Sequence, residues 1–172
     1  PAQKKNEKDF RDYLKQDDSD VYIFYTVFLS QQTDLIARSI IRSMRSGVRF
    51  IFTGPQASFN PESFLDISDT WAVRGEPEFI VKELIASIMT GAQHNEIKGV
   101  SLLHNGDIVH NPSAPVIAEL DDIPVPNRSL LDHRPYYNPK LQGMPQTGML
   151  TSRGCFGQCW FCVPNSLSYA RE

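Results

Sequence analysis

The chain has 172 residues, 41% hydrophobic and 22% charged, with a net charge of −3, which is ordinary for a soluble globular protein and long enough for one good core. That balance gives no reason to expect nucleic acid or an anionic membrane surface as a partner. No apolar run reaches the length of a membrane span, the N-terminus lacks a signal-peptide pattern, and no repeat or low-complexity tract is visible.

Glu7 to Gln16 predicts a short amphipathic helix with Phe10, Tyr13 and Leu14 on one face, and Asp17–Asp20 is its polar exit. Val21–Val27 is a continuous apolar run that suits a strand buried on both faces. Thr33 or Asp34 can cap a helix running to about Arg45, with Leu35, Ile36, Ser39, Ile40 and Met44 at helical spacing and Gly47 as its C-terminal cap. Val48–Thr53 is the next strand, ending at Gly54-Pro55. Pro61–Leu65 is a short helix with proline in its first turn. Thr70–Arg74 is a third strand, and Glu76–Met89 a long helix with Phe79, Ile80, Leu84 and Ile88 on one face. Gly99–His104, Asn105-Gly106 and Asp107–His110 form a strong hairpin signal, because Asn-Gly fits the type I′ turn.

Alternating strands and helices predict an α/β fold, a Rossmann-like parallel sheet with right-handed crossovers. Residues 111–145 then change character. Seven prolines lie there, with acidic Glu119, Asp121 and Asp122, and the composition predicts an extended linker packed along a domain surface.

All three cysteines follow this linker in a C-x3-C-x2-C cluster, Cys155, Cys159 and Cys162. Three thiolates so close together can hold three irons of a 4Fe–4S cube and leave the fourth iron open. A disulfide framework is disfavoured by the odd count and the short spacing of Cys159 and Cys162. Structural zinc usually takes four ligands, and no fourth Cys or His lies nearby, although zinc or inert thiols remain alternatives. Few cysteines, grouped as ligands, fit a reducing cytoplasm.

A second site is expected on general grounds. Ligands of open α/β sheets bind beyond the carboxyl ends of the strands. Those ends carry Ser30-Gln31-Gln32-Thr33, Gly54-Pro55-Gln56-Ala57-Ser58 and Gly75-Glu76-Pro77-Glu78. Small residues admit a large planar ligand, and Ser30, Thr33 and Ser58 offer hydroxyls. The plainer readings are strand-end turns for Gly54 and Gly75, and first-turn carboxylates for Glu76 and Glu78. His94, His104 and His110 have no evident partners and read as surface histidines. Trp160 reads as a packing residue.

The cysteine spacing, after Met149 to Gly154, resembles the radical S-adenosylmethionine (SAM) enzymes. The resemblance implies that the open iron chelates SAM, that one electron cleaves SAM to methionine and a 5′-deoxyadenosyl radical, and that Phe161 lies near the adenine. The order Phe28-Leu29-Ser30, Phe52 to Ser58, Val73 to Glu78, hairpin, proline-rich linker and Thr151 to Cys155 resembles more closely the cobalamin-binding subgroup, and covers nearly the whole chain.

That resemblance implies a cobalamin-binding domain over residues 1–118, lacking some of its first elements, a linker over 119–144, and the first βα piece of a radical SAM barrel over 145–172. Cobalamin would contact Ser30, Gln31, Thr33, Gly54, Pro55, Gln56, Ala57, Ser58, Gly75, Glu76 and Glu78. The pattern departs at Gln56, where many members carry His, and no Asp-x-His-x-x-Gly motif is present.

The implied activity is reductive cleavage of SAM for methyl transfer to an unactivated carbon. The implied partners are a small-molecule or peptide substrate and an electron donor such as flavodoxin or ferredoxin. The alternatives are a cyclase or rearrangement enzyme whose Rossmann-like domain is a cobalamin-free substrate or docking module, and a non-catalytic iron–sulfur or zinc protein. A barrel of this kind needs about 250 residues, so the chain reads as a fragment that would not turn over SAM alone.

Overall fold

The computed structural model describes residues 6–92, 94, 96–130, 148–155 and 160–161. These fall into two compact units: the described residues of Pro1–Asp17 and Glu119–Arg153, and those of Asp18–Ala118 and Gly154–Glu172.

The first unit holds helix α1, Glu7–Leu14. Asn6 caps it, because its side chain accepts from Asp9 N at 3.1 Å while the Asp9 carboxylate accepts from Asn6 N at 2.9 Å. This reciprocal box satisfies two N–H groups that the first turn would otherwise leave unpaired. The described linker residues carry two short 3-10 turns, Leu120–Asp122 and Arg128–Leu130. Most of the predicted first βα piece of a barrel lies outside the described residues.

The second unit is built on a five-stranded sheet in chain order. Strand β1 is Val21–Tyr25, β2 is Arg49–Thr53, β3 is Thr70–Val73, β4 is Val100–His104 and β5 is Asp107–His110. The first three are parallel; β4 runs antiparallel to β3, and β5 antiparallel to β4. The expected parallel sheet therefore becomes mixed at its hairpin. Asn105 (φ 53°) and Gly106 (φ 91°) supply the two positive φ angles of a type I′ turn.

Helices cover both faces. Helix α2, Gln31–Met44, joins β1 to β2. Helix α3, Pro55–Phe59, and a 3-10 turn at Pro61–Phe64 join β2 to β3. Helix α4, Pro77–Thr90, follows β3 and ends at Gly91, whose φ of 68° suits a left-handed cap. On the α4 face, Ile51, Trp71, Val73, Val100 and Leu102 pack against Ile80, Leu84 and Ile88. On the other face Phe24 stacks on Phe52 at 5.0 Å, and Phe52 on Phe64 at 4.5 Å. The buried Arg38 of α2 lies 5.8 Å from the Phe52 ring and donates to the Phe64 carbonyl and the Asp66 carboxylate.

Several expectations are corrected here. Strand β1 is not buried on both faces: Ile23 is 50% and Tyr25 67% exposed, because β1 is the sheet's edge and only its Tyr22 and Phe24 side meets the aromatic cluster. Helix α2 begins at Gln31, before Thr33 and Asp34, and Ser30 precedes it. Its buried residues are Arg38, Ile40 and Ile41, whereas Ile36 and Ser39 are exposed. It ends at Arg45 in extended backbone, so Gly47 lies beyond the cap. Phe79 is exposed, since Ile80, Leu84 and Ile88 take the core side of α4. Helix α3 was not anticipated.

Candidate functional site

The carboxyl ends of β1, β2 and β3 lie side by side because these strands are parallel neighbours. Thr26 N donates to Thr53 O at 2.7 Å, and Thr26 O accepts from Gln56 N at 3.1 Å. The loops after β1 and β2 are thus tied by backbone. Their side chains meet as well, with Gln56 Nε2 donating to Gln31 Oε1 at 2.7 Å. The loop after β3 joins them, because Gly75 N donates to Ser58 Oγ at 3.0 Å. Four predicted site residues are therefore in direct contact: Gln31 with Gln56, and Ser58 with Gly75.

The other predicted residues divide. The Ser30 hydroxyl accepts from Val27 N at 3.1 Å and donates to Asp34 at 2.9 Å, so it closes its own turn. Thr33 is exposed on α2. Pro55 opens α3, and Ala57 is fully buried beneath it. Glu78 lies in the first turn of α4 and is half-buried. Glu76 is only 6% exposed, and its carboxylate accepts from Ile117 N, which fastens the chain leaving β5 to the loop after β3.

The two glycines differ. At Gly54 (φ 95°) a Cβ would stand 2.8 Å from Thr26 O, so the backbone just after β1 already closes this position to side chains. At Gly75 (φ 92°) a Cβ would meet nothing within 4 Å. Open space therefore lies beside Gly75. Above the β1 end, Phe28 and Leu29 are 78% and 89% exposed, and Phe59 at the end of α3 is exposed too. Among the described residues the buried hydroxyls of Thr26 and Thr53 have no hydrogen-bond partner. Open space at Gly75 and exposed apolar side chains at the strand ends leave room there for a large, mostly apolar ligand.

All three histidines expected to be partnerless have a polar neighbour: His104 Nε2 lies 3.2 Å from Asn105 Nδ2. His94 Nδ1 lies 2.7 Å from Ser87 Oγ, and its ring meets Trp71 edge-on at 5.1 Å. Burial, and then the charge of Arg49, hold its imidazole below the ordinary value. His110 Nδ1 lies 2.8 Å from Ser101 Oγ, and its Nε2 lies 3.2 Å from Glu62 Oε1. Arg74 donates to the Asn111 carbonyl. Burial pulls its guanidinium below the usual value, against the raising effect of Glu62. Glu62, Arg74, Ser101 and Asn111 were not anticipated, because only the fold brings them together.

Of the cysteines, Cys155 is described and exposed, while Cys159 and Cys162 lie outside the described residues. Phe161 is exposed, and Trp160 is exposed too, not packed as expected. Among the described residues no group of three His, Cys, Asp or Glu side chains is placed to hold a metal ion, and no helix is long and apolar enough to cross a membrane.

No model of a known protein family matches the chain. It is 30% identical over 167 residues to an uncharacterized methyltransferase of Pyrococcus horikoshii, a match covering 95% of this chain and 35% of that protein. Its structure is similar to the radical SAM methyltransferase TsrM from Kitasatospora setae, solved with cobalamin and a 4Fe–4S cluster. There the TM-score is 0.56 at 15% identity, over 90% of this chain and 32% of TsrM. It is also similar to OxsB, a cobalamin-dependent SAM radical enzyme solved with aqua-cobalamin and SAM, with a TM-score of 0.52 at 19% identity over 63% of this chain and 15% of OxsB. The chain thus spans about a third of the length of the methyltransferase it matches. Its α/β fold is the one these cobalamin-dependent radical SAM enzymes share, and the chain resembles that family in fold as its sequence implied.

Proposed function

We propose that this chain is the cofactor-bearing part of a cobalamin-dependent radical SAM methyltransferase. Residues 18–118 would hold cobalamin over the ends of β1, β2 and β3, and Cys155, Cys159 and Cys162 would hold a 4Fe–4S cluster. The observation that carries the reading is the order of parts: a sheet of the fold shared with TsrM, followed in one chain by C-x3-C-x2-C. The similarity to a methyltransferase supports methyl transfer.

When bound, the cluster supplies the electron that cleaves SAM, and cobalamin supplies the methyl group. The chain's own residues bind and orient. Cys155, Cys159 and Cys162 would hold three irons by their thiolates and leave one for the amino and carboxylate groups of SAM. Phe161 offers an aromatic face to the adenine. Gly75 would leave room for the macrocycle, and Pro55, Gln56 and Glu78 would contact it. The Gln31–Gln56 pair would present amide groups at that rim, and the exposed Phe28 and Leu29 would offer it apolar surface. Ser30, Gly54, Ala57 and Glu76 act by holding the loops. The substrate class is a small molecule or peptide, the electron donor a flavodoxin- or ferredoxin-type protein, and the setting a reducing cytoplasm.

The test is anaerobic reconstitution of the complete protein with iron, sulfide and cobalamin, followed by reduction with SAM present. 5′-Deoxyadenosine and methionine should form, and Cys159→Ala should form neither. A wild-type protein with its full iron complement that releases no 5′-deoxyadenosine would contradict the reading.

A further inference from the structure

Ser101, the second residue of β4, is fully buried, on the same face of the sheet as its register partners Ala72 and His110. A buried hydroxyl needs a partner, and the Ser101 hydroxyl lies 2.8 Å from His110 Nδ1. The other ring nitrogen, Nε2, lies 3.2 Å from Glu62 Oε1. If Ser101 donates to Nδ1, the neutral ring carries its proton on Nε2 and donates it to Glu62. The chain of contacts therefore runs from the buried centre of the sheet to an exposed carboxylate.

Glu62 sits in the 3-10 turn Pro61–Phe64, directly after α3. Helix α3 carries Ser58, which holds Gly75 N at 3.0 Å. Arg74, next to Gly75, donates to the carbonyl of Asn111, the residue after His110. Two routes thus lead from His110 to Gly75, one through Glu62 and α3, the other through Asn111 and Arg74.

We propose that Glu62 and His110 are positioning residues for the corrin site: the Ser101–His110–Glu62 chain locks the turn after α3 against the hairpin, and so fixes Ser58 and Gly75 at the rim. This rests on the cobalamin reading. Neither residue touches the ligand. Both act through the placement of the loop that does.

The test uses the full chain. Glu62→Ala comes first, because Glu62 is exposed and its loss removes no core packing. Ser101→Ala, which frees His110 at its other end, is the second variant. Two quantities are read: amide exchange at Gly75 without cobalamin, and cobalamin affinity from the corrin absorbance. Each variant should speed Gly75 exchange roughly fivefold and weaken cobalamin by a similar factor, about the weight of one intramolecular hydrogen bond. Glu62→Gln, which keeps an acceptor, should recover most of both. A wild-type chain that binds no cobalamin would sink the corrin reading and this proposal with it. A wild type that binds, with both variants leaving either quantity unchanged, would sink the positioning role alone.

Discussion

Gly75 donates its backbone N–H to the Ser58 hydroxyl across 3.0 Å, so the loop that ends β3 is tied to the helix that follows β2. Together with the Gln56–Gln31 bond at 2.7 Å, this makes the three strand-end loops one connected rim. Such a rim is preorganised: a ligand settling on it need not order the loops first.

The two rim glycines should respond differently to a methyl group. Gly54→Ala forces a Cβ to within 2.8 Å of Thr26 O at a φ of 95°, and should cost upward of about 2 kcal/mol in urea unfolding. Gly75→Ala meets open space and carries only the strain of its positive φ, about 1 kcal/mol. Equal costs would show that the close approach at Gly54 is not what restricts it. Gly75→Val should fold and lose cobalamin affinity; at Gly54 the same change reports on stability instead.

Asn111 anchors the chain as it leaves β5. Its side chain donates to His94 O at 3.1 Å and Ile97 O at 2.8 Å, and the residue is buried. Asn111→Ala removes one donor from each carbonyl, leaving them the long backbone bonds from Ile97 N at 3.4 Å and Val100 N at 3.3 Å, and should lower unfolding stability by about 1–2 kcal/mol. A loss below 0.5 kcal/mol, an order-of-magnitude threshold typical of surface sites, would show that these bonds are replaceable by water.

His94 links stability to pH. Its folded imidazole is held below the ordinary value by burial and by Arg49, whereas the unfolded chain titrates near the ordinary value, about 6.5. Between those two values unfolding takes up a proton. Stability is therefore full above about pH 6.5, falls as pH drops below it, and levels off once the folded imidazole is itself protonated. Urea midpoints measured above and below that window should differ less in His94→Gln than in the wild type. The same loss in both proteins would assign the slope to other groups.

What the sequence made legible follows from range. The hairpin was readable because Asn105-Gly106 states its turn chemistry locally. The three strand ends were readable because a serine or a glycine follows each apolar run. Helix α3 was missed because Pro55 reads equally as a turn, and five residues give no periodicity to detect. The exposure of β1 was missed because an apolar run does not say whether its strand sits at an edge. Glu62 and His110 were invisible as a pair, since β2 to β5 must assemble before their side chains meet. Glu76 accepts from Ile117 N, a contact that no spacing rule foretells.

The central claim is that one chain carries both a corrin site and a three-thiolate cluster site. Its most direct measurement is electron spin resonance of the reduced, anaerobically reconstituted complete protein, recorded before and after SAM is added, with iron and cobalt counted in the same sample. The account predicts about four irons and one cobalt per chain, with a 4Fe–4S signal that shifts on SAM addition. Cys155→Ala, Cys159→Ala and Cys162→Ala should each abolish that signal while cobalt remains. A full, SAM-responsive cluster signal in Cys159→Ala, or a wild-type protein that takes up iron but no cobalt, would contradict it.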